Sequence, residues 1–377
     1  MTIRAEYTPL SEMITNATGF GVCGVSSLQV FTDGLTKLEQ LEQDIRAAKK
    51  KIQIAYFHFG IDKRTRHIRR LLMQRAKEGV RVEFLYEDIA NFPIFPHYFW
   101  NMRFAGVKVR RFSPHPFNIA AWLKSINHRN HRKIVVIDDT IGYSGGMNLT
   151  QNYYGAWRDT HLRMTGGIVE QLQHVFEDDW NKNTPKRGHT PAFRSEDIYP
   201  AQLLPCGRTI QPRLLPRVYC TMLNNAQQYV WLQTPYFAPT DDVLNAIKQS
   251  AKRGVDVRLM LPRVPDNKLT RWINKSYYDE LLDAGVKIYL HEPFIHAKTS
   301  VVDDYLTSIG SANLDGRGLT LDYEVNTLLY SEEIAGKQKS LFLDDMQHCT
   351  QLTPDEWSKQ KRNKTMERLS RTFSRLL

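Results

Sequence analysis

The chain has 377 residues, 42% hydrophobic and 24% charged, so it is long enough for about two to three domains and too apolar for general disorder. The formal net charge of +11 indicates a partner or substrate that carries phosphate: nucleic acid, anionic lipid or a phosphorylated substrate. The cysteines lack CxxC spacing, which argues against a disulfide scaffold or a cysteine zinc site. Because no apolar run approaches roughly 18 residues and no signal-peptide pattern is present, we expect the chain as given not to cross a membrane.

The predicted elements occur twice in the same order along the chain. Residues 48–57 (AKKKIQIAYF) and 226–237 (AQQYVWLQTPYF) each predict a buried strand. A helix that ends at glycine and leads into a strand is predicted at residues 76–82 (AKEGVRV) and again at 251–257 (AKRGVDV). A third matching segment follows in each half, at residues 105–109 (AGVKV) and 284–288 (AGVKI). This repeat predicts an α/β fold of two similar domains, each with a mostly parallel or mixed sheet flanked by helices.

Composition sets the expected domain boundaries. Residues 185–215 are rich in proline and glycine and have no clear period, which is typical of a linker. We therefore expect an N-terminal segment at 1–27, a first domain at 28–190, a linker at 191–215, a second domain at 216–350 and a C-terminal tail at 351–377.

A polar motif is duplicated at a constant offset of 165 residues, which joins His131 to His296. The matched pairs that follow are Lys133 and Lys298, Asp138 and Asp303, Gly145 and Gly310, and Asn148 and Asn313. A carboxylate lies 28 residues after each histidine, at Asp159 and at Glu324. One HxK sequence alone would indicate a solvated surface strand, but two copies with matched partners indicate a site.

The residue types in the motif suit phosphate chemistry. Histidine and lysine two positions apart point to the same face of a strand. The turns at Gly145-Gly146 and Gly310-Ser311, together with the asparagines and lysines, form a predicted phosphate cradle that acts like an oxyanion hole. A carboxylate can hold the second nitrogen of each imidazole, and we assign Asp159 to His131 and Glu324 to His296. We expect Asp138 and Asp303 to anchor turns, and no cluster of metal ligands is evident.

Several segments of the chain resemble the phospholipase D superfamily, and in finer detail its bacterial cardiolipin synthase branch. They are INHRNHRKIVVID, GGMN, WRD at 157–159, TPYFAPTDD at 234–242, and GSANLDGR at 310–317 followed by DYEVN. The resemblance covers roughly residues 28–377. It implies two domains around a pseudo-twofold axis with one active site between them.

The resemblance also implies an activity. Phosphatidylglycerol would be the substrate, and transfer would run through a phosphohistidine with no cofactor and no obligatory metal. The implied location is the cytoplasmic side of the bacterial cell membrane, as a peripheral protein. Because the superfamily more often uses the N-terminal histidine as nucleophile, it favours His131 for that role and His296 as general acid.

The chain departs from the family in two ways. Many relatives carry transmembrane helices before this region, so the chain as given is either a peripheral form or a trimmed one. The family usually has Arg-Ser after the second asparagine motif, where this chain has Arg317-Gly318. The acceptor therefore stays open between phosphatidylglycerol, water and another alcohol, and so does the oligomeric state.

Two segments favour a lipid substrate over nucleic acid, which the same chemistry would also serve. The first is an aromatic loop that would suit a membrane interface or pack in the core: Phe92, Phe95, Tyr98, Phe99 and Trp100. The second is the tail, where residues 357–377 hold seven basic and one acidic residue. Its apolar residues fall on one side of a predicted amphipathic helix, at Met366, Leu369, Phe373 and Leu376. That helix would lie on an anionic membrane or dock on the protein.

Overall fold

A computed structural model describes residues 2–91, 96–112, 128–181, 187–207, 210–211, 213–360 and 363–372. Its strands are β1 (Cys23–Val25), β2 (Ser27–Phe31), β3 (Lys51–Tyr56), β4 (Arg81–Tyr86), β5 (Lys108–Arg111), β6 (Ile134–Ile137), β7 (Ile141–Gly145), β8 (His161–Thr165), β9 (Tyr199–Cys206), β10 (Tyr229–Gln233), β11 (Phe237–Ala238), β12 (Asp256–Pro262), β13 (Lys287–His291), β14 (Thr299–Val302), β15 (Leu306–Gly310), β16 (Leu314–Asp315), β17 (Glu324–Tyr330) and β18 (Cys349–Leu352).

The α-helices of the described residues connect these strands or cover their faces. They are α1 (Thr8–Thr18), α2 (Gly34–Ala47), α3 (Lys63–Lys77), α4 (Pro96–Phe104), α5 (Ile168–Asn181), α6 (Leu214–Asn225), α7 (Asp241–Lys252), α8 (Lys268–Lys275), α9 (Tyr278–Asp283), α10 (Gly316–Thr320), α11 (Glu332–Met346), α12 (Pro354–Lys359) and α13 (Lys364–Thr372). Two short 3₁₀ turns lie at Ala5–Tyr7 and Gln151–Tyr153.

The two halves of the chain repeat one sheet topology. In the described residues the first sheet has the order β2-β8-β7-β6-β3-β4-β5, and the second has the order β1-β9-β17-β15-β14-β10-β12-β13-β18. In each sheet three strands run parallel (β3-β4-β5 and β10-β12-β13), and the motif strands join them antiparallel. The predicted α/β fold with two similar domains is confirmed, and both sheets are mixed.

The predicted linker contains a strand, so its interpretation as irregular chain is wrong for residues 199–206. Strand β9 pairs with β17 on one side and with β1 on the other, and thus extends the second sheet. Pro200 and Pro205 lie near the two ends of β9, and these prolines hid the strand because proline usually breaks one. Strand β1, from the predicted N-terminal segment, belongs to the same sheet.

An apolar layer joins the two halves. Buried side chains from both sheets form one cluster with the inner face of α5, including Ile134 and Leu162 from the first sheet and Ile309 and Val325 from the second. Helix α5 follows β8 and buries an apolar stripe that runs from Ile168 to Trp180. The motif strands β6 and β15 therefore pack into the layer that joins the two halves.

The aspartate at the end of each motif, Asp138 or Asp303, closes a turn. The Asp138 carboxylate accepts hydrogen bonds from the backbone N–H groups of residues 49, 50 and 51 at 2.7–2.8 Å. Asp303 does the same for residues 227, 228 and 229. Both aspartates have left-handed backbone, with φ of 51° and 47°. Each carboxylate thus ties the end of a motif strand to the start of the neighbouring strand.

We expect Asp303→Ala to lower the free energy of unfolding by about 2 kcal/mol, because three N–H groups lose a charged acceptor. Alanine also tolerates left-handed backbone poorly, whereas asparagine tolerates it and keeps one acceptor oxygen. Asp303→Asn should therefore cost less. Urea unfolding of both variants measures the difference, and an Asp303→Ala protein as stable as the parent would contradict the anchoring role.

Candidate active site

The two motif histidines lie where the halves of the chain meet. His131 and His296 come just before strands β6 and β14, so the His-Lys segments lead into the predicted strands. A short parallel bridge pairs Asn130 with Tyr323, and a second pairs Arg158 with Ile295. The His131 N–H donates to the Tyr323 carbonyl at 2.9 Å, and the His296 N–H donates to the Arg158 carbonyl at 2.6 Å. Each histidine backbone is therefore fixed by the other half.

The side chains follow the same crossed pattern. His131 Nδ1 lies 2.8 Å from Glu324 Oε1, and His296 Nδ1 lies 2.7 Å from Asp159 Oδ2. The sequence-based pairing of Asp159 with His131 and Glu324 with His296 is wrong. Equal spacing in both copies led to that assignment. The bridges place each carboxylate beside the histidine of the opposite half, and both imidazoles line the same cleft.

The motif lysines are buried beside their histidines. Lys133 Nζ donates to the His131 carbonyl at 2.5 Å, and Lys298 Nζ lies 3.0 Å from His296 Nε2. Burial lowers the pKa of Lys133 to about 7 and that of Lys298 to about 8. Two ammonium groups held out of water are poised to receive an anion, because pairing with negative charge restores their favourable environment.

Burial dominates the electrostatics of the His131–Glu324 pair. It lowers the pKa of His131 well below its usual value, and the ammonium groups of Lys133 and Lys298 lower it further. Burial also raises the pKa of Glu324 to about 8, against the opposing effect of Lys133 and a hydrogen bond from Ser311. These effects favour a neutral His131, and a neutral imidazole can attack an electrophile.

In the His296–Asp159 pair, neighbouring charges outweigh the effect of burial on the carboxyl group. Burial favours the protonated form of Asp159, but Lys298 and His296 outweigh it, so the pKa of this carboxyl is lowered. Burial and Lys298 lower the pKa of His296 to about 3 despite the neighbouring carboxylate. Asp159 is thus ionised and can stabilise an imidazolium once an anion offsets the lysines. This arrangement suits a general acid and base.

The turn glycines and Ser311 shape the two carboxylate sites differently. A Cβ added at Gly146 would lie 2.2 Å from Asp159 Oδ1, so only glycine lets this carboxylate sit close to the turn. Its counterpart Ser311 instead donates its hydroxyl to Glu324 Oε2. Gly145 precedes Gly146, and Gly310 precedes Ser311. A Cβ added at Gly310 would lie 2.0 Å from Asn326 Oδ1, so this position also requires glycine.

The two motif asparagines are not equivalent. Asn148 accepts a hydrogen bond from the His58 N–H at 3.1 Å and donates to the Tyr153 hydroxyl at 3.0 Å. Among the described residues, Asn313 Oδ1 has no hydrogen-bond partner although it is buried. Both side chains line the same cleft. Asn148 therefore braces the wall, whereas the Asn313 oxygen has no hydrogen-bond donor among the described residues.

The histidines open into a cleft of about 490 Å³. The motif analysis missed most of its walls, because these residues lie outside the duplicated pattern or differ between the copies. Aromatic rings frame both imidazoles: Trp157 stacks on His296 with ring centroids 5.4 Å apart, and Phe57 meets His131 edge-on at 4.8 Å. Arg129 and Arg317 add positive charge at the same cleft. The segments that resemble the family contain part of this set, including Arg129, Trp157, Tyr236, Arg317 and Asp322, but their place in the cleft was not predicted.

The proposed membrane-binding residues have different surroundings. Phe99 is buried and stacks on Tyr86 with centroids 4.0 Å apart, so its assignment to a membrane contact is wrong. Tyr98 is half-buried and donates its hydroxyl to the Gly60 carbonyl, whereas Trp100 is exposed. Phe92 and Phe95 lie outside the described residues.

The tail helix α13 docks through its polar side. Glu367 and Ser370 are buried, and Arg371 pairs with Glu280 at 2.6 Å. Met366 and Leu369 face outward, with Leu369 52% exposed. Phe373 and Leu376 lie outside the described residues. The helix thus leaves apolar side chains unpaired at the surface.

The described residues contain neither a set of metal-binding side chains nor a membrane-spanning helix. Within them, no three His, Cys, Asp or Glu side chains are arranged to hold a metal ion. No helix among these residues is both long and apolar enough to cross a bilayer.

The chain matches a family model described as "Cardiolipin synthase, PLD-like domain" at residues 41–180 and 219–346. It is 36% identical to a cardiolipin synthase of Geobacillus kaustophilus over 93% of this chain and 72% of that protein. It is 35% identical to the major cardiolipin synthase ClsA of Bacillus subtilis over 88% of this chain and 71% of that one.

Solved structures share the fold at low identity. A phosphatidylserine synthase from Haemophilus influenzae superposes with a TM-score of 0.74 and 13% identity, over 98% of each chain. The duplicated histidine motif, its place at the junction of two repeated sheets and the family match lead to one assignment. The chain belongs to the cardiolipin synthase branch of the phospholipase D superfamily.

Proposed function

We propose that the protein is a phosphatidyltransferase that joins two phosphatidylglycerol molecules into cardiolipin and releases glycerol. The observation that carries the proposal is the crossed pair of buried imidazole–carboxylate couples, which open into one cleft beside two buried lysines. Curated relatives named cardiolipin synthase support the choice of reaction. The two buried lysines supply the positive charge that the phosphodiester needs, so the proposal requires no metal.

In the first step, His131 Nε2 attacks the phosphorus of phosphatidylglycerol. A P–N bond forms, the P–O bond to the head-group glycerol breaks, and His296 donates a proton to the departing oxygen. The anionic phosphodiester offsets the charge of Lys298 and Lys133, so its binding raises the low pKa of His296 and lets the imidazole carry that proton. Lys133 and Lys298 stabilise the charge on the non-bridging oxygens.

In the second step, a glycerol hydroxyl of another phosphatidylglycerol attacks the phosphohistidine. His296 accepts the hydroxyl proton, the P–O bond of cardiolipin forms, and the P–N bond breaks to restore His131. Asp159 stabilises the imidazolium of His296 in both steps. Water in place of the lipid alcohol would give phosphatidic acid, so the product separates transferase from hydrolase.

We also propose that the protein works as a peripheral protein on the cytoplasmic face of a bacterial membrane. Met366 and Leu369 on the outer side of α13 and the exposed Leu269 on neighbouring α8 offer apolar contacts. Lys364 and Arg368 on the same short helix are exposed and can approach anionic lipid head groups. Trp100 at the surface of α4 is a further candidate, together with the tail residues Phe373 and Leu376.

His131→Ala and His296→Ala should each lower cardiolipin formation by at least about a thousandfold, because one site needs both groups. The double variant should be no worse than either single variant. Phosphatidylglycerol vesicles in EDTA, with lipid and glycerol analysis, provide the assay, and circular dichroism checks the fold. Half the activity in each single variant would instead indicate two independent sites.

Brief reaction with phosphatidylglycerol that carries a labelled acyl chain should trap a phosphatidyl group on His131. Digestion at neutral or alkaline pH preserves the phosphohistidine for mass mapping. The label should persist in His296→Ala, if more slowly formed, and disappear in His131→Ala. Label on the His296 peptide that survives His131→Ala would reverse the two roles.

The value of kcat/KM for phosphatidylglycerol should fall as the pH rises through about 7 to 8, because the free enzyme then loses the positive charge of Lys133 and Lys298, whose pKa values are about 7 and 8. The value falls rather than rises with pH because the anionic phosphodiester binds the protonated lysines. Any activity that Lys298→Arg retains should fall less steeply with rising pH than that of the parent, since arginine keeps one of the two positive charges. An unchanged basic limb in both Lys298→Arg and Lys133→Arg would contradict this cause.

A further inference from the structure

The two walls of the active-site cleft differ in charge although the halves are repeats. Three carboxylates, those of Asp266, Asp315 and Asp322, come from the second half and are called here the acidic wall. At the 165-residue offset, the first half has Thr150 in place of Asp315 and Trp157 in place of Asp322. The acidic wall is therefore an addition to the duplicated motif.

A phosphodiester does not account for the acidic wall. Carboxylates repel a phosphate, and the buried lysines already provide its binding charge. A shared metal ion does not account for the wall either, since no three such groups within the described ranges are placed to hold one. The wall must suit a different part of the substrate.

Each carboxylate of the wall is oriented through one of its oxygens. Asp322 Oδ1 accepts from the Arg129 N–H at 3.1 Å and from Arg317 Nη2 at 3.0 Å. Asp315 Oδ1 accepts from the Gly318 N–H at 2.7 Å, and Asp266 Oδ2 accepts from the Tyr236 hydroxyl at 2.8 Å. The described residues supply no hydrogen bond to the second oxygen of any of the three.

Asn313 provides an independent sign that a ligand completes this wall. The residue is only 7% exposed, borders the cleft, and has an Oδ1 atom without a donor among the described residues. A buried acceptor left unpaired costs free energy unless a ligand supplies the donor. Asn313 and the wall thus present several acceptor oxygens and call for a ligand rich in donors.

We propose that the acidic wall is a subsite for the hydroxyl groups of a polyol head group, namely the glycerol of phosphatidylglycerol. This inference rests on the proposed phosphatidyl transfer. It identifies the residues that select glycerol among possible acceptor alcohols. Vicinal hydroxyls donate to carboxylate and amide oxygens and need no net charge. Arg317, paired with Asp322, and nearby Arg129 reduce the negative charge of the wall, which favours a neutral polyol over a cation.

The wall lies next to the reacting groups. The Tyr236 ring meets His296 edge-on with centroids 6.4 Å apart, and its hydroxyl holds Asp266. A glycerol bound there has one hydroxyl near the general acid and base and the others on the carboxylates. The same subsite serves the leaving glycerol in the first step and the incoming glycerol in the second, because both occupy the leaving-group side of the phosphorus.

The test measures how the phosphoenzyme divides between competing alcohols. Phosphatidylglycerol vesicles are incubated with equal concentrations of deuterated glycerol, propan-1-ol and ethanolamine, and mass spectrometry quantifies the phosphatidyl products. All three acceptors compete for one intermediate, so the product ratio does not depend on how fast that intermediate forms. Glycerol and propan-1-ol share a carbon chain and differ by two hydroxyls.

The parent protein should prefer glycerol to propan-1-ol, and Asp266→Ala and Asp322→Asn should each reduce that preference by about tenfold. Asp266 lies in an exposed loop, so its variant tests the wall without removing a buried group. Asp344→Asn, an exposed change on α11 away from the cleft lining, is the matched control and should keep the parent ratio.

Two results overturn the inference while leaving the transfer intact. One is an unchanged glycerol-to-propanol ratio in both folded variants. The other is a parent preference for ethanolamine that the variants lose, because the wall would then bind an ammonium group. If the parent forms no phosphatidyl product with any alcohol, the proposed function itself fails and the inference fails with it.

Discussion

The site depends on an exchange between the two halves of the chain. Each catalytic imidazole takes its backbone bridge and its carboxylate from the opposite half, through Tyr323 and Glu324 for His131 and through Arg158 and Asp159 for His296. Neither half supplies the carboxylate that contacts its own histidine. The apolar layer between the sheets is therefore part of the catalytic apparatus, because a small shift of one sheet would loosen both pairs together.

A duplicated motif yields two unlike sites because the carboxylates differ in their surroundings. Gly146 leaves room for Asp159, which stays ionised beside Lys298, whereas Ser311 occupies the matching position and its hydroxyl bonds to the buried Glu324. One imidazole thus has an ionised partner and the other has a partner of raised pKa. In the mechanism we propose, this difference separates the nucleophile from the acid in a site built from two copies of one unit.

The sequence was sufficient for the repeat, the motif residues and the α/β class, because spacing and periodicity are local properties. The crossed pairing could not be predicted, since equal spacing in both copies is compatible with either pairing and only the bridges between halves decide. Strand β9 was missed because its prolines resemble linker residues, and Phe99 was misassigned because an aromatic run does not reveal which ring faces the core. Asp266 carried no signal because it lies outside the duplicated pattern.

The crossed pairing can be measured directly by nitrogen-15 NMR of protein labelled at histidine, with His131→Ala and His296→Ala used to assign the two imidazoles. We expect Glu324→Gln to move the Nδ1 resonance of His131 and leave that of His296 nearly unchanged, and Asp159→Asn to do the opposite. If Glu324→Gln perturbs His296 and Asp159→Asn perturbs His131, each half holds its own histidine, and the shared site described here is contradicted.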